Sequence, residues 1–193
     1  MAEVPSTFQL QPGQIAPDFT LPDGHGREYT LESLCSQQKG LLIAFVCNHC
    51  PFVIHLAKEL GRTAASLAEK GIVTVAINAN DATRYPADSP EKMVAFAAAN
   101  GWNFPYLYDE TQEVAKAYAA ACTPDFYLFD GKSQLVYAGQ FDESRPGHGT
   151  ATGFDLTAAT ENLLAGSPTP QPWYPSTGCS IKWIPGKEPD YFG

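Results

Sequence analysis

Positive charge is scarce in this chain: 12 Lys and Arg stand against 21 Asp and Glu among 193 residues, a formal net charge of -9. A surface of that sign repels phosphate backbones and anionic headgroups, so neither nucleic acid nor a membrane surface is expected as a partner. Long apolar runs are missing too, and nothing approaches the roughly 20 residues that a membrane-spanning helix needs. The opening Met1-Ala2-Glu3-Val4-Pro5-Ser6 has neither the basic start nor the apolar centre of a secretory leader, and the expectation is a soluble, cytoplasmic protein. Cysteine is sparse and odd in number: Cys35, Cys47, Cys50, Cys122 and Cys179. An odd set makes a poor disulfide framework, whereas in a reducing compartment it fits one reactive pair plus free thiols. There is no internal repeat and no low-complexity linker, and the length suits one buried core better than two.

Against these absences one cluster stands out, Cys47-Asn48-His49-Cys50-Pro51. It sits where an apolar run, Leu41 to Val46, gives way to Phe52, Leu56, Leu60, Ala64 and Leu67 at helical spacing. Proline is well placed just inside a helix start, where its missing N–H has no intrahelical partner. Both sulfurs then lie near the positive end of a helix dipole, which favours thiolate over thiol.

The rest of the chain alternates strand and helix signals. Ala16 to Gly24 with Glu28 to Leu31 reads as an N-terminal hairpin turning at Asp23-Gly24. Strand 41–46, helix 51–70 and strand 72–77 form a parallel crossover unit. The loop from Asn78 to Asp88 follows, and Ser89-Pro90 opens a helix to about Asn100. A short strand at 106–108, a helix over 112–121, a hairpin of 126–129 with 135–138, and a helix over 154–164 complete the set. Residues 167–193 differ in kind, with six prolines and five aromatics. A flexible tail would be poor in aromatics, so the expectation is a domain over 1–166 with this tail lying against it or against a partner subunit, which leaves a homodimer open.

This order of elements, with a dithiol at the first strand-to-helix junction and a proline before a late hairpin, resembles the thioredoxin fold: an α/β architecture with a central mixed sheet flanked by helices. The N-terminal hairpin and Ala16-Pro17-Asp18-Phe19 resemble the peroxiredoxin-like branch (AhpC/TSA, with the TlpA/ResA-type thiol reductases), and within it the group carrying a CNHCP motif. The likeness extends through Asn78-Ala79-Asn80-Asp81, Tyr106 to Gln112, Cys122-Thr123-Pro124-Asp125, Asp142 to Pro146 and Gly178 to Trp183. It implies a cis peptide bond before Pro124, with the backbone at Thr123 pairing with an extended substrate. It also implies the chemistry of a thiol–disulfide oxidoreductase.

In a C-x-x-C at a helix start the first cysteine projects outward and the second faces the helix. Cys47 is therefore read as the attacking thiolate and Cys50 as the resolving thiol, with His49 tuning the thiolate by charge or hydrogen bond. No cofactor is needed beyond the redox-active disulfide. Electrons would come from a dithiol protein or a small thiol, and the substrate would be a disulfide or a peroxide. In the peroxidase alternative Cys50 matches the peroxidatic cysteine by resemblance, but Cys47 stands where that family has threonine and Ile43 where it has proline. Zinc would need a second half-site recruited from Cys122, Cys179 or His55, so no metal is expected. A copper-delivery reading would call on His148, and its cysteines are spaced one residue wider than these. Cys35 reads as a packed thiol, and His55 as a helix-face residue. Cys122 reads as a small buried hydrophobe that could accept an alternative disulfide. Cys179 is a candidate third redox partner if the tail docks over the site. Arg145 either brings positive charge to the site or pairs with neighbouring acids.

Overall fold

The run Gly40–Phe45 is buried at every position, and a strand hidden on both faces belongs in the middle of a sheet. A computed structural model, which describes residues 3–192, puts it there. In chain order the elements are β1 (Glu3–Pro5), β2 (Thr20–Pro22), β3 (Glu28–Thr30), α1 (Leu31–Cys35), β4 (Gly40–Phe45), α2 (Pro51–Glu69) and β5 (Ile72–Asn78). A turn of 3-10 helix, Pro86–Asp88, precedes α3 (Pro90–Ala99), β6 (Tyr106–Tyr108), α4 (Glu113–Ala117), β7 (Cys122–Thr123) and β8 (Asp125–Asp130). Then come β9 (Leu135–Gly139), α5 (Phe154–Leu164) and β10 (Thr177–Ser180).

Among the described residues the main sheet has the order β6-β5-β4-β8-β9. Its first three strands are parallel, with Ile43 opposite Val75. β8 runs antiparallel to β4, with Ile43 opposite Tyr127, and β9 runs antiparallel to β8. Successive side chains of β4 point to opposite faces. Leu42 and Ala44 join the α2 and α5 side with Leu56, Leu60 and Leu156. Leu41, Ile43 and Phe45 join the other side with Phe19, Tyr118, Phe129 and Trp183. Each large apolar side chain buried this way contributes about 1.5–3 kcal/mol. Helix α2 buries Val53, Leu56, Leu60, Ala64 and Leu67, and Gly61 lets it approach the next layer, because a Cβ there would collide with the Asn100 carbonyl.

Three elements differ from their sequence reading. The hairpin is shorter, pairing Leu21 with Tyr29, because Thr30 and Ser33 form a reciprocal capping box that starts α1 at Leu31. Helix α4 stops at Ala117, since Ala119 takes a positive φ of 51° and turns the chain into β7. The tail contributes a strand: β10 lies between β1 and β7 in a second sheet, with Cys179 opposite both Glu3 and Thr123. Beyond it Ile181 and Trp183 are buried, and the Lys182 amide donates to Asn80 Oδ1 at 2.8 Å.

Candidate active site

The dithiol lies where β4 leaves the sheet. The Val46 amide still donates to the Ile77 carbonyl, after which the chain turns through Cys47, Asn48 and His49. Cys50, extended at φ -71° and ψ 123°, is the N-cap of α2, and Pro51 is its first helical residue. Only Cys50 occupies the helix end; Cys47 is three residues upstream. Its sulfur makes no capping bond of ordinary geometry, yet the Val53 amide and the thiols of Cys47 and Cys179 all lie near enough to stabilise negative charge on it. When protonated, Cys50 donates to the Thr123 carbonyl, 3.1 Å away. That acceptor opposes ionisation, and these donors, with the Cys179 amide, favour it. The bond from Cys47 is the strongest of them, and against the cost of burial Cys50 is brought down to about 5.

Cys47 goes the other way. Its bond to Cys50, its burial and the charge of Asp88 hold its thiol well above the usual range, opposed by the Thr123 hydroxyl at 3.4 Å. This corrects the sequence reading. Cys47 does not project outward: it is 1% exposed and Cys50 is 0%. The surroundings favour negative charge on the second sulfur of the pair, whose residue is the helix N-cap, over the first, beside which a carboxylate stands.

His49 is corrected as well. Its Nδ1 is 2.6 Å from Asp88 Oδ2, and this bond chiefly raises the imidazole pKa. Its proton is thus committed to Asp88 rather than to Cys47, and its charge favours the thiolate of Cys50. The ring stacks on Tyr85, centroids 5.8 Å apart, and the Lys182 ammonium lies over the Tyr85 ring, 5.9 Å from its centroid.

Asp88 is the residue that sequence reasoning missed. It is fully buried at the end of the 78–88 loop and accepts from the Asn48 amide and from Asn80 Nδ2, each at 2.8 Å. Burial pushes its carboxyl up, but His49 and these amides outweigh that and leave it below the usual carboxylate range. The available signal was Asn78-x-Asn80 just past a buried parallel strand, at the carboxyl end where open sheets place their sites. Cys47, His49 and Asp88 form the one group of three possible metal donors found among the described residues, all within 4.8 Å. The carboxylate is already filled by His49 and two amides, and His148 is not a member.

The Thr123–Pro124 peptide bond is cis, the geometry that the resemblance implies. The Thr123 backbone, to which the resemblance assigns substrate docking, is paired here with β10 of the same chain. Cys122 is fully buried, its thiol pushed up chiefly by desolvation, and packs as a small apolar side chain. Cys179 lies against Cys50. Cys35 belongs to the core on the opposite face of the sheet.

The pattern of the AhpC/TSA family matches residues 12–138, more than half of the chain. The chain belongs to that family. It is 51% identical to an uncharacterized conserved protein of Geobacillus kaustophilus whose crystal structure superposes with a TM-score of 0.92, over 96% of this chain and 98% of that one. It is 28% identical to the thiol-disulfide oxidoreductase ResA of Geobacillus thermodenitrificans, over 66% of this chain and 69% of ResA. Peroxidoxin BcpB of Mycobacterium tuberculosis, 18% identical, shares the fold with a TM-score of 0.59 over 81% of this chain and 96% of BcpB. The architecture is the thioredoxin fold in its peroxiredoxin-like form.

In this AhpC/TSA chain Arg145 forms no ion pair among the described residues. Its guanidinium donates to the carbonyls of Asp142 and Ser144 and to Gln140 Oε1. Asp142 is occupied instead by the amides of Ser144, Thr152 and Gly153. His55 reaches Ser144 Oγ at 2.9 Å, tying α2 to the same loop. Arg145, Asp142 and His148 line a cleft of about 820 Å³. A small neighbouring cavity carries this lining on to Pro124.

Proposed function

We propose that this thioredoxin-fold oxidoreductase exchanges a Cys47–Cys50 dithiol with small disulfides, Cys50 being the attacking thiolate and Cys47 its partner. The observation that carries the reading is Cys50 at the N-cap of α2, with thiol and amide donors near its sulfur. Attack by the Cys50 thiolate on a disulfide forms a mixed disulfide and releases one thiolate. Cys47 then attacks the Cys50 sulfur, a Cys47–Cys50 bond replaces the mixed disulfide, and the proton of Cys47 leaves on the departing thiolates. A small thiol or a dithiol protein reverses the sequence, chemistry suited to a cytoplasmic setting. The burial of both sulfurs supports small molecules over folded proteins as the disulfide substrate.

One observation favours a second reading, thiol-dependent peroxide reduction: the sulfur at the helix start is that of Cys50, which stands in the peroxidatic place by resemblance, and peroxide is small enough to reach a buried thiolate. Attack on hydrogen peroxide gives a sulfenic acid and water, and Cys47 condenses with the sulfenic acid to release a second water. Ile43 and Cys47 in place of the polarising proline and threonine argue for the slower rate. The test is the turnover of glutathione disulfide and of hydrogen peroxide by wild type, Cys47→Ser and Cys50→Ser. Exchange faster than peroxide consumption, with both lost in Cys50→Ser, is expected. Activity that survives in Cys50→Ser and disappears in Cys47→Ser would restore the first cysteine as nucleophile and refute this assignment.

A further inference from the structure

The position beside Thr123, which the resemblance reserves for substrate, holds a cysteine of the chain itself. In the antiparallel pair of β10 and β7, Cys179 is directly opposite Thr123. Opposed residues send their side chains to the same face, with Cβ atoms about 4.5–5.5 Å apart. The Thr123 side chain is on the dithiol face, its hydroxyl 3.4 Å from Cys47 Sγ, and its carbonyl is 3.1 Å from Cys50 Sγ. Cys179 therefore faces the pair, in the same apolar cluster as Cys47 and Cys50. The strand is held from several sides: β1 pairs along its other edge, and the Ile181 amide donates to the Ala121 carbonyl. Gly178 lies so close that no side chain fits against the Thr123 carbonyl. Cys50 thus has two neighbouring thiols, Cys47 and Cys179, each a potential disulfide partner.

We propose that Cys179 is a third redox residue, which takes Cys50 from the Cys47–Cys50 disulfide and so fastens the tail strand over the site. The inference rests on the exchange chemistry proposed above. The step is an internal thiol–disulfide exchange: the Cys179 sulfur attacks Cys50, the Cys47–Cys50 bond breaks as the Cys50–Cys179 bond forms, and the proton of Cys179 passes to Cys47. One disulfide and one thiol are present before and after, so no external oxidant or reductant takes part. Cys47 returns to the thiol state while the oxidising equivalent is stored in a bond between α2 and the tail. Burial does not hinder this reaction, because both partners already share one cluster.

The full chain is oxidised with glutathione disulfide, free thiols are capped in acid, and trypsin peptides are read by mass spectrometry without reduction. Cleavage after Lys39 and Lys58 puts Cys47 and Cys50 on one peptide, whereas Cys179 lies beyond Lys132 on another. Expected is a Cys50–Cys179 cross-linked peptide beside the internal Cys47–Cys50 product in wild type. It should be the dominant oxidised species in Cys47→Ser and absent in Cys179→Ser. If Cys47→Ser is unfolded, the partition of Cys50 in wild type decides alone. A wild type that forms only Cys47–Cys50, with Cys179 always capped, would overturn this inference and leave the exchange reading intact. A wild type in which Cys50 enters neither bond would overturn both.

Discussion

A single buried carboxylate organises the reactive turn. Asp88 takes the Asn48 amide, the His49 ring and the Asn80 side chain, so it pins the C-N-H-C turn to the loop after β5 while its charge discourages ionisation of Cys47. Asp88→Asn should lower the His49 pKa, readable by NMR of the ring protons, and cost about 2 kcal/mol of stability, the usual size for one orphaned partner in a buried polar network. An unchanged His49 titration would show that the ring owes its shift to something else. The direction with pH follows from the raised His49 value: this pair's contribution is complete below the unfolded histidine pKa and is lost as pH rises through the folded one. At the sulfurs, thiolate absorbance near 240 nm needs no access for a reagent. Wild type should titrate with a midpoint of about 5, and Cys50→Ser should show no thiolate until alkaline pH. A low-pH step that persists in Cys50→Ser would return the ionised sulfur to Cys47. The dithiol was legible as a motif because two cysteines, a proline and a change of period coincide. Which of the two ionises was not legible, since that depends on Asp88, far off in sequence, and on a helix N-cap three residues after Cys47.

Strand β10 is the element on which access to the dithiol turns. Its pairing with β7 uses the backbone that the resemblance assigns to an extended partner, and its tightest point is Gly178 under the Thr123 carbonyl. Gly178→Ala has nowhere to put its methyl group, because the obstacle is backbone on one side and the Pro124 ring on the other. The strand should lift, giving up ladder bonds worth about 2 kcal/mol together. Hydrogen exchange over 177–180 is then expected to quicken about thirtyfold, with faster alkylation of Cys50, while the main sheet stays protected. Equal protection in the variant would mean that the tail adapts without opening. Strands β4 and β5 could be read directly because continuous apolar runs belong at sheet centres. Thr177-Gly178-Cys179-Ser180 has no alternation and no β-branched run, and its partner strands lie at residues 3–5 and 122–123. Its aromatic neighbours indicated docking, but the pairing is a tertiary choice that no local pattern records.

Across the whole molecule the opposing titrations of buried acids set how stability follows pH. Asp88 and Cys50, both lowered, add stability that is complete above their unfolded values and lost as pH falls through the folded ones. Asp125, just after Pro124 and 1% exposed, works in the reverse sense. Burial lifts its carboxyl to about 7, although Ser6 Oγ donates to it at 2.7 Å and the Tyr127 hydroxyl at 3.0 Å. The folded chain therefore keeps this proton over a range in which the unfolded chain, near an ordinary value of about 3.9, has released it. Folding is penalised progressively from about pH 4 to about pH 7 and uniformly above, by at most about 4 kcal/mol. Asparagine can hold the same place: its Oδ1 accepts from Tyr127, and the Ser6 hydroxyl, 3.4 Å from the Ser176 carbonyl, can turn to donate there while accepting from Nδ2. Asp125→Asn should therefore have a Tm close to wild type at pH 4 and rise above it as pH increases, levelling near pH 7 with a gain of up to about 10 °C. Calorimetry of both proteins at intervals across that range measures the difference directly. A gap that stays constant with pH would mean that Asp125 ionises as readily in the folded chain as in the unfolded one, and that the strand beneath the dithiol carries its charge at neutral pH.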